Sequence, residues 1–397
     1  MSQPGADRPK IIAGGEHSLF LDRTGLYSAG ACGLKWNRSS NLTPSLFGWR
    51  KVMMDEPVAF MAAGYYHNLA LGAKSGKIFS WGCGTFLEGQ NDGCKPAMGQ
   101  GLETLDVGDL PNPVSPSLPP DEQVVQLAAG AYHSIAMTSK NKVYTFGNAQ
   151  LGQLGRSNIG SSKDSSGLPV DPDPKEVEGL FMETPIQIGA GFYNTYVTTK
   201  SGKLYCAGEN QNRQCGREKP TNVRTMLRAT DLKEEKIKAA VGGYCHTLAL
   251  TLNGQLLSMG CGDDGQRGDG LDFDGDEEKR EIITSVNLPS KVVKFSAGAN
   301  HSAAVCENGS AFAWGSNEFG QCAAGSSEKL LSPKRIDVQG EHVEEISCGY
   351  AHTVVKTKTG RIYVFGSNDS GQLGLGAAAA KSPNDVQHAK EIQIRKI

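Results

Sequence analysis

The sequence predicts an all-β chain folded as a seven-bladed propeller, and three observations lead there. A short phrase recurs seven times: a small residue and Gly, two variable residues, then His or Asn. Its copies end at His17, His67, His133, Asn194, His246, His301 and His352, spaced 50 to 66 residues apart. A period in that range marks an array built from one supersecondary unit. Each copy leads into the same hairpin pattern, and 50 Gly in 397 residues suit a chain made largely of turns.

The elements of the unit follow in order. Each repeat His precedes Ser, Thr or Asn and a short apolar run, as in HSLFL, HNLAL, HSIAM, HTLAL, HSAAV and HTVVK. A turn signal comes next: Thr24-Gly25, Ser75-Gly76, Lys140-Asn141, Ser201-Gly202, Asn253-Gly254, Asn308-Gly309 and Thr359-Gly360. Gly or Asn between two apolar segments is a strong hairpin signal, because both accept positive φ. Segments rich in strand formers then close on Gly, among them KIFSWG, KVYTFG, QLLSMG and RIYVFG. Several copies continue with a Gly-Gln phrase, as at Gly152-Gln153-Leu154-Gly155 and Gly371-Gln372-Leu373-Gly374. An apolar lead-in such as QVVQLAAG or HVEEISCG supplies at least one further strand.

A lone hairpin is marginal in water, so the units must pack side by side. Radial closure leaves only short, protected edges. The whole span 1–397 is therefore expected to be one propeller domain. PKIIAGG near the start and EIQIRKI at the end lack partners in their own units, so pairing of these two strands in one blade is expected to close the ring. The longest irregular stretches, about 93–122, 156–183, 217–234 and 269–285, fall between units and are expected to be loops. The 156–183 stretch, rich in Ser, Asp, Pro and Gly, reads as the most mobile.

Composition narrows the function. The net charge is −2 with no basic tail, which disfavours direct nucleic-acid binding. No run approaches the ~20 apolar residues of a membrane span. The start, MSQPGADRPK, has no signal- or transit-peptide pattern, so a cytoplasmic protein is expected, with the nucleus or a cytoskeletal or ciliary assembly as alternatives. Ten scattered Cys with no CxxC pair read as buried reduced thiols. There is no GxSxG, GxxxxGK[ST] or HExxH, so neither catalysis nor a cofactor is expected.

The GxxH[ST]xAL phrase, the hairpin Gly, the aromatic-Gly exit and GQLG together resemble the regulator of chromosome condensation repeat family. The resemblance covers nearly the whole chain in seven copies and implies a seven-bladed β-propeller. The family includes a Ran nucleotide-exchange factor, a plant ultraviolet-B photoreceptor and scaffolds joined to kinases, ligases or cilia. The photoreceptor pattern places Trp two residues before the repeat His. Here those places hold Gly15, Tyr65, Ala131, Phe192, Tyr244, Ala299 and Tyr350, and the one Gly48-Trp49-Arg50 lies outside any copy. The exchange-factor pattern places an acidic residue just before a repeat His, and only Glu16 matches. The wedge that such a factor inserts has no clear counterpart, although Thr85–Gly93 or the loop after it could supply one.

Candidate site residues follow. The repeat His read as hydrogen-bonding scaffold, because seven blades spread them too widely for one metal ion. Tyr65, Tyr66, Tyr132, Phe192, Tyr193, Tyr244 and Tyr350 sit between Gly and His and are the expected interaction rim. Their structural alternative is packing between blades or plugging the axial channel. Glu16 is the candidate contact for a GTPase. Counting from Gly270, Asp272, Asp274 and Glu281 fall at EF-hand loop positions, but position one is Gly and no helical pattern flanks it, so a solvated acidic loop is expected over a calcium site. The sequence thus predicts a non-catalytic protein-binding scaffold, alone or within a larger assembly. Its alternative is an exchange factor for a Ran-type GTPase.

Overall fold

The computed structural model describes residues 10–30, 48–86, 94–96, 111–114, 118–163, 167–272, 281–376 and 385–394. Seven antiparallel sheets follow one another along the chain as seven blades. Six blades have four strands in sequence order. The second has five, because Cys94–Pro96 and Asn112–Pro113 both pair with its third strand, Ile78–Phe86. The predicted hairpin joins the second and third strands of every blade, as His246–Thr251 with Leu256–Gly260. The turn residue Asn141 takes φ 59°, the conformation for which Asn or Gly is needed.

Position within the blade decides composition. Inner strands line the axis and end in the small residues of the repeat phrase, as at Ala63-Gly64 and Ala297-Gly298. Second strands are covered on both faces by the flanking blades, so all six residues of His301–Cys306 and of His246–Thr251 are buried. Outer strands meet one neighbour only. They read VDPDPKE, VRTMLR and LLSPKR, without an apolar period. Each of the four stretches expected to be loops contains an outer strand: Asn112–Pro113, Val170–Glu176, Val223–Arg228 and Ile283–Ser285. Val170–Glu176 lies in the stretch expected to be most mobile, and its prolines are tolerated at a sheet edge.

One polar motif is repeated at the seams between blades. The His at the start of a second strand reaches the hydroxyl that follows the corresponding residue of the next blade. His67 Nε2 lies 2.9 Å from Ser134 Oγ, His133 Nε2 3.1 Å from Thr195 Oγ1, His246 Nε2 2.9 Å from Ser302 Oγ and His301 Nε2 2.9 Å from Thr353 Oγ1. In the first seam the partner is Asn68 Oδ1, at 2.7 Å. Three of these hydroxyls donate to the Gln carbonyl of the preceding blade's Gly-Gln turn: Thr195 to Gln153, Ser302 to Gln266 and Thr353 to Gln321. A hydroxyl that donates there must accept from histidine, so Nε2 carries the proton.

The expected pairing of the terminal strands does not occur. Lys10–Ala13 pairs with the second strand of the first blade, and Val386–Ile392 with the third strand of the last. The two blades meet face to face instead. His352 Nε2 lies 3.0 Å from Ser18 Oγ, which donates to the Gln372 carbonyl at 2.8 Å. Ala13 N–H donates to Ser347 Oγ, and Ile11 and Phe20 pack in one cluster with Val354 and Val364. The seam that closes the ring uses the same contact as the others and needs no shared strand.

The phrase is Gly–x–x–His because the ring takes the place of a side chain. A Cβ on Gly298 would lie 2.2 Å from His301 Cε1 and 2.5 Å from the Gly349 carbonyl oxygen. Gly298→Ala should therefore cost about 1–3 kcal/mol in denaturant unfolding, as overpacking does. Gly48→Ala, whose nearest neighbour is 3.9 Å away, should be close to neutral. Ser18→Ala strips the closing seam of the group that His352 and Gln372 share and should cost about 1–3 kcal/mol in the same assay.

Candidate protein-binding rim

The two variable residues of each phrase lie where the inner strand turns into the second strand, at one mouth of the axial channel. Backbone hydrogen bonds link the phrases in a closed circle. Gly15 N–H donates to the Tyr65 carbonyl, Tyr65 to Gly130, Ala131 to Phe192, Phe192 to Gly243, Tyr244 to Ala299, Ala299 to Tyr350 and Tyr350 to Gly15, at 2.9 to 3.3 Å. The circle fixes the backbone and leaves the side chains free to differ.

Those side chains form one connected aromatic patch. Tyr65 stands at its centre, with ring centroids 4.7 Å from Tyr66, 4.5 Å from Phe192 and 5.1 Å from Tyr350. Tyr66 stacks on Tyr132 at 4.6 Å, and Phe192 meets Tyr193 at 4.7 Å and Tyr244 at 4.9 Å. All seven aromatics expected at the rim are thus brought together from five blades. They divide in role. Tyr65, Phe192 and Tyr244 line a cavity of about 310 Å³ with the small residues of the inner strands, so part of the set plugs the channel. Tyr244 and Tyr350 remain 44 % and 45 % exposed, and offer ring surface outward.

The electrostatics match this division. Burial, with the neighbouring tyrosines and Glu16 adding to it, pushes the Tyr65 phenol well up. Burial carries Tyr66 and Tyr193 to about 12. The patch therefore stays uncharged at neutral pH. Glu16 lies at the seam of the first and last blades, where its Oε2 accepts from Ser370 Oγ at 2.9 Å. Beneath the rim, desolvation holds His17 and His67 at about 4, and His133, His246, His301 and His352 at about 3.

Asn194 has a hydrogen-bonding role like the histidine it replaces, but not the seam contact. Its Nδ2 donates to Glu209 O within its own blade, at 2.7 Å, and Tyr196 crosses the seam, with its hydroxyl 2.6 Å from Thr247 Oγ1. The asparagine side chain is too short to reach the next blade. The expectation that the cysteines are reduced needs correction: Cys245 is bonded to Cys261 and Cys206 to Cys215, while Cys306, Cys322 and Cys348 are free and buried. The hairpin explains the first pair, since His246 faces Gly260 and the next rung sets Cys245 opposite Cys261. In the second, the Gly-Gln turn folds over the third strand, the approach by which Ser258 Oγ reaches Arg267 O in the fifth blade.

The acidic loop is only partly described. Asp272 pairs with Lys329 Nζ at 2.6 Å, the Glu281 carbonyl accepts from Arg267, and Asp274 lies outside the described residues. Most of the Thr85–Gly93 segment also lies outside them. Among the described residues no group of His, Cys, Asp and Glu is arranged to hold a metal, and no helix is long and apolar enough to cross a membrane. Trp49, Trp81 and Trp314 are buried in three different blades, away from the rim.

The model of the RCC1-like domain matches residues 89–397. The chain belongs to the RCC1-like domain family. Among curated RCC1-like relatives, the Ultraviolet-B receptor UVR8 of Arabidopsis thaliana is 27 % identical over 82 % of this chain and 68 % of its own length. The Probable E3 ubiquitin-protein ligase HERC6 of Homo sapiens is 29 % identical over 66 % of this chain, which spans only 25 % of that protein. Among solved structures, Prp20p from Saccharomyces cerevisiae superposes with a TM-score of 0.75 at 20 % identity, over 98 % of this chain and 87 % of that one. Human WBSCR16 superposes with a TM-score of 0.69 at 19 % identity, over 87 % and 84 %. These two likenesses establish the fold.

The six histidines make stability depend on pH. The folded RCC1-like ring keeps them neutral down to about 3 or 4, whereas the unfolded chain takes up protons near 6.5. Between those limits the unfolded state binds more protons, so stability is full above about pH 6.5 and falls as the pH is lowered. Urea midpoints measured from pH 8 to pH 4 should be flat above pH 7 and drop steadily below 6.5.

Proposed function

We propose that this chain is a non-catalytic propeller that binds another protein through its aromatic rim. The observation that carries the reading is the contiguity of the seven aromatics, gathered at one mouth from five blades with Tyr244 and Tyr350 half exposed. Rigid aromatic side chains on a preorganised surface supply large contact area at little entropic cost, which is why they anchor interfaces. The repeat supports the same reading. Gly and His serve the seams, while the residues between them vary from blade to blade, as recognition positions do and packing positions do not.

A second reading is guanine-nucleotide exchange on a Ran-type GTPase, favoured by the position of Glu16 on that rim. The solved structure of Prp20p was described with its binding properties to Gsp1p and histones, and carried to this chain that is a proposal only.

Capture from native lysate should retain a specific protein with the wild-type chain. The pair Tyr244→Ala and Tyr350→Ala should lose it by about tenfold or more, as removal of interface anchors does. An unchanged capture would overturn the rim assignment. Release of labelled GDP from Ran should be unaffected by the chain; acceleration by orders of magnitude would replace the first reading with the second.

A further inference from the structure

We infer that the segment received by this rim is positively charged and presents arginine to the tyrosines. The inference rests on the preceding reading and adds the chemistry of the partner.

The fold brings five turns that end on Gln, at 148–153, 209–214, 261–266, 316–321 and 367–372, to the mouth that carries the aromatics; the second ends Arg213-Gln214 and the others Gly-Gln. The residue after each exit Gly donates its N–H to the carbonyl of the residue before the repeat His or Asn: Asn148 to Tyr132, Glu209 to Tyr193, Cys261 to Cys245, Ser316 to Asn300 and Ser367 to Ala351. These turns carry Glu209, Asp263, Asp264, Glu318 and Asp369, against Arg213 as their one basic residue. The seven repeat phrases add Glu16 and contain no Lys or Arg. An overall charge of −2 thus conceals a one-sided set of turns on these five blades; the corresponding segments of the first two blades lie largely outside the described residues.

The carboxylates act on one another. Burial, with Asp263 and Glu318 adding to it, raises the Asp264 carboxyl, although Lys329 opposes the shift. Burial, with Asp369 and Glu318 adding to it, raises Asp385 at the foot of the last strand. Lys329 is engaged by Asp272 and the Asp263 carbonyl. An incoming cation would relieve this repulsion.

Among the buried atoms of the described residues that lack hydrogen-bond partners, the amide donors Gln214 Nε2 and Asn368 Nδ2 lie in these turns, and two acceptors stand at the patch itself: Glu209 Oε2, beside Tyr193, and the Tyr65 hydroxyl at its centre. Both accept hydrogen bonds. A ligand that suits them brings donors, positive charge and a face that stacks on aromatic rings. Guanidinium unites all three, with five donors in a plane, whereas ammonium offers donors and charge without the face. Charge complementarity of this kind raises association rate and specificity together.

The test uses short labelled peptides of alternating Arg-Gly, Lys-Gly and Glu-Gly, titrated with the full chain by fluorescence anisotropy. The Arg-Gly peptide should bind most tightly and the Glu-Gly peptide not at all, with affinity falling as salt is raised. Combining Glu318→Lys and Asp369→Lys, both exposed, should weaken Arg-Gly binding about tenfold or more, as loss of complementary charge does, with the unfolding temperature unchanged. Should that pair disturb the fold, Asp263→Lys gives the same reading. Equal binding of Arg-Gly and Glu-Gly, or no loss on charge reversal, would overturn the inference. Equal affinity for Arg-Gly and Lys-Gly would overturn its arginine part. If the charge-reversed protein still captures the lysate partner that the Tyr244/Tyr350 pair loses, the rim reading stands and this inference falls. If the tyrosine pair loses nothing, both fall.

Discussion

Everything in this structure depends on a buried hydrogen bond from one blade's histidine to the next blade's hydroxyl or amide oxygen. A histidine and a hydroxyl cannot be buried singly without cost. Placed at a seam, the ring Nε2–H and the hydroxyl oxygen pair with each other, and the hydroxyl's own proton is taken by the Gln carbonyl of the Gly-Gln turn. One polar contact thus explains why Gly, His, Ser or Thr, and Gln recur together although the Gln stands well downstream of the other three in each unit. It also explains why the inner Gly cannot carry a side chain, since the ring fills that space. The fourth seam tests the logic: where Asn194 cannot reach across, Tyr196 does, and the receiving Thr247 still donates to Gln214.

The same arrangement separates stability from recognition. The closed circle of backbone hydrogen bonds passes through the phrase whatever its variable side chains are. Glycine at 15, alanine at 131 and 299, and aromatics at 65, 192, 244 and 350 occupy equivalent places on it. Gly15 admits no side chain, because a Cβ there would lie 2.2 Å from the Tyr65 carbonyl oxygen and 3.1 Å from its ring. The patch is therefore a packed object with its own core and exposed shoulders.

Much of this was legible in the sequence. The unit, its number, its hairpin and the position of its aromatics follow from patterns within about twenty residues of each repeat His. The outer strands were not legible, because a strand with one neighbour and a wet face has no apolar period, and VRTMLR or VDPDPKE reads as loop. The closure was misread for a related reason: a terminal strand without a partner in its own phrase seems to need one elsewhere, yet Lys10–Ala13 simply occupies the inner place of its blade. The acidic mouth was hidden differently. Glu209, Asp264, Glu318 and Asp369 stand some fifty residues apart, and only circular closure makes them neighbours.

That closure bears on how such a ring is counted. A propeller whose ends share a blade has its number of units locked by the clasp, since adding or removing one unit must preserve the split pairing. Here the last blade is complete before it meets the first, and their seam carries the same histidine–hydroxyl contact as four of the others. The covalent break between the ends could sit at any seam, which makes the architecture in effect a circle with an arbitrary starting point.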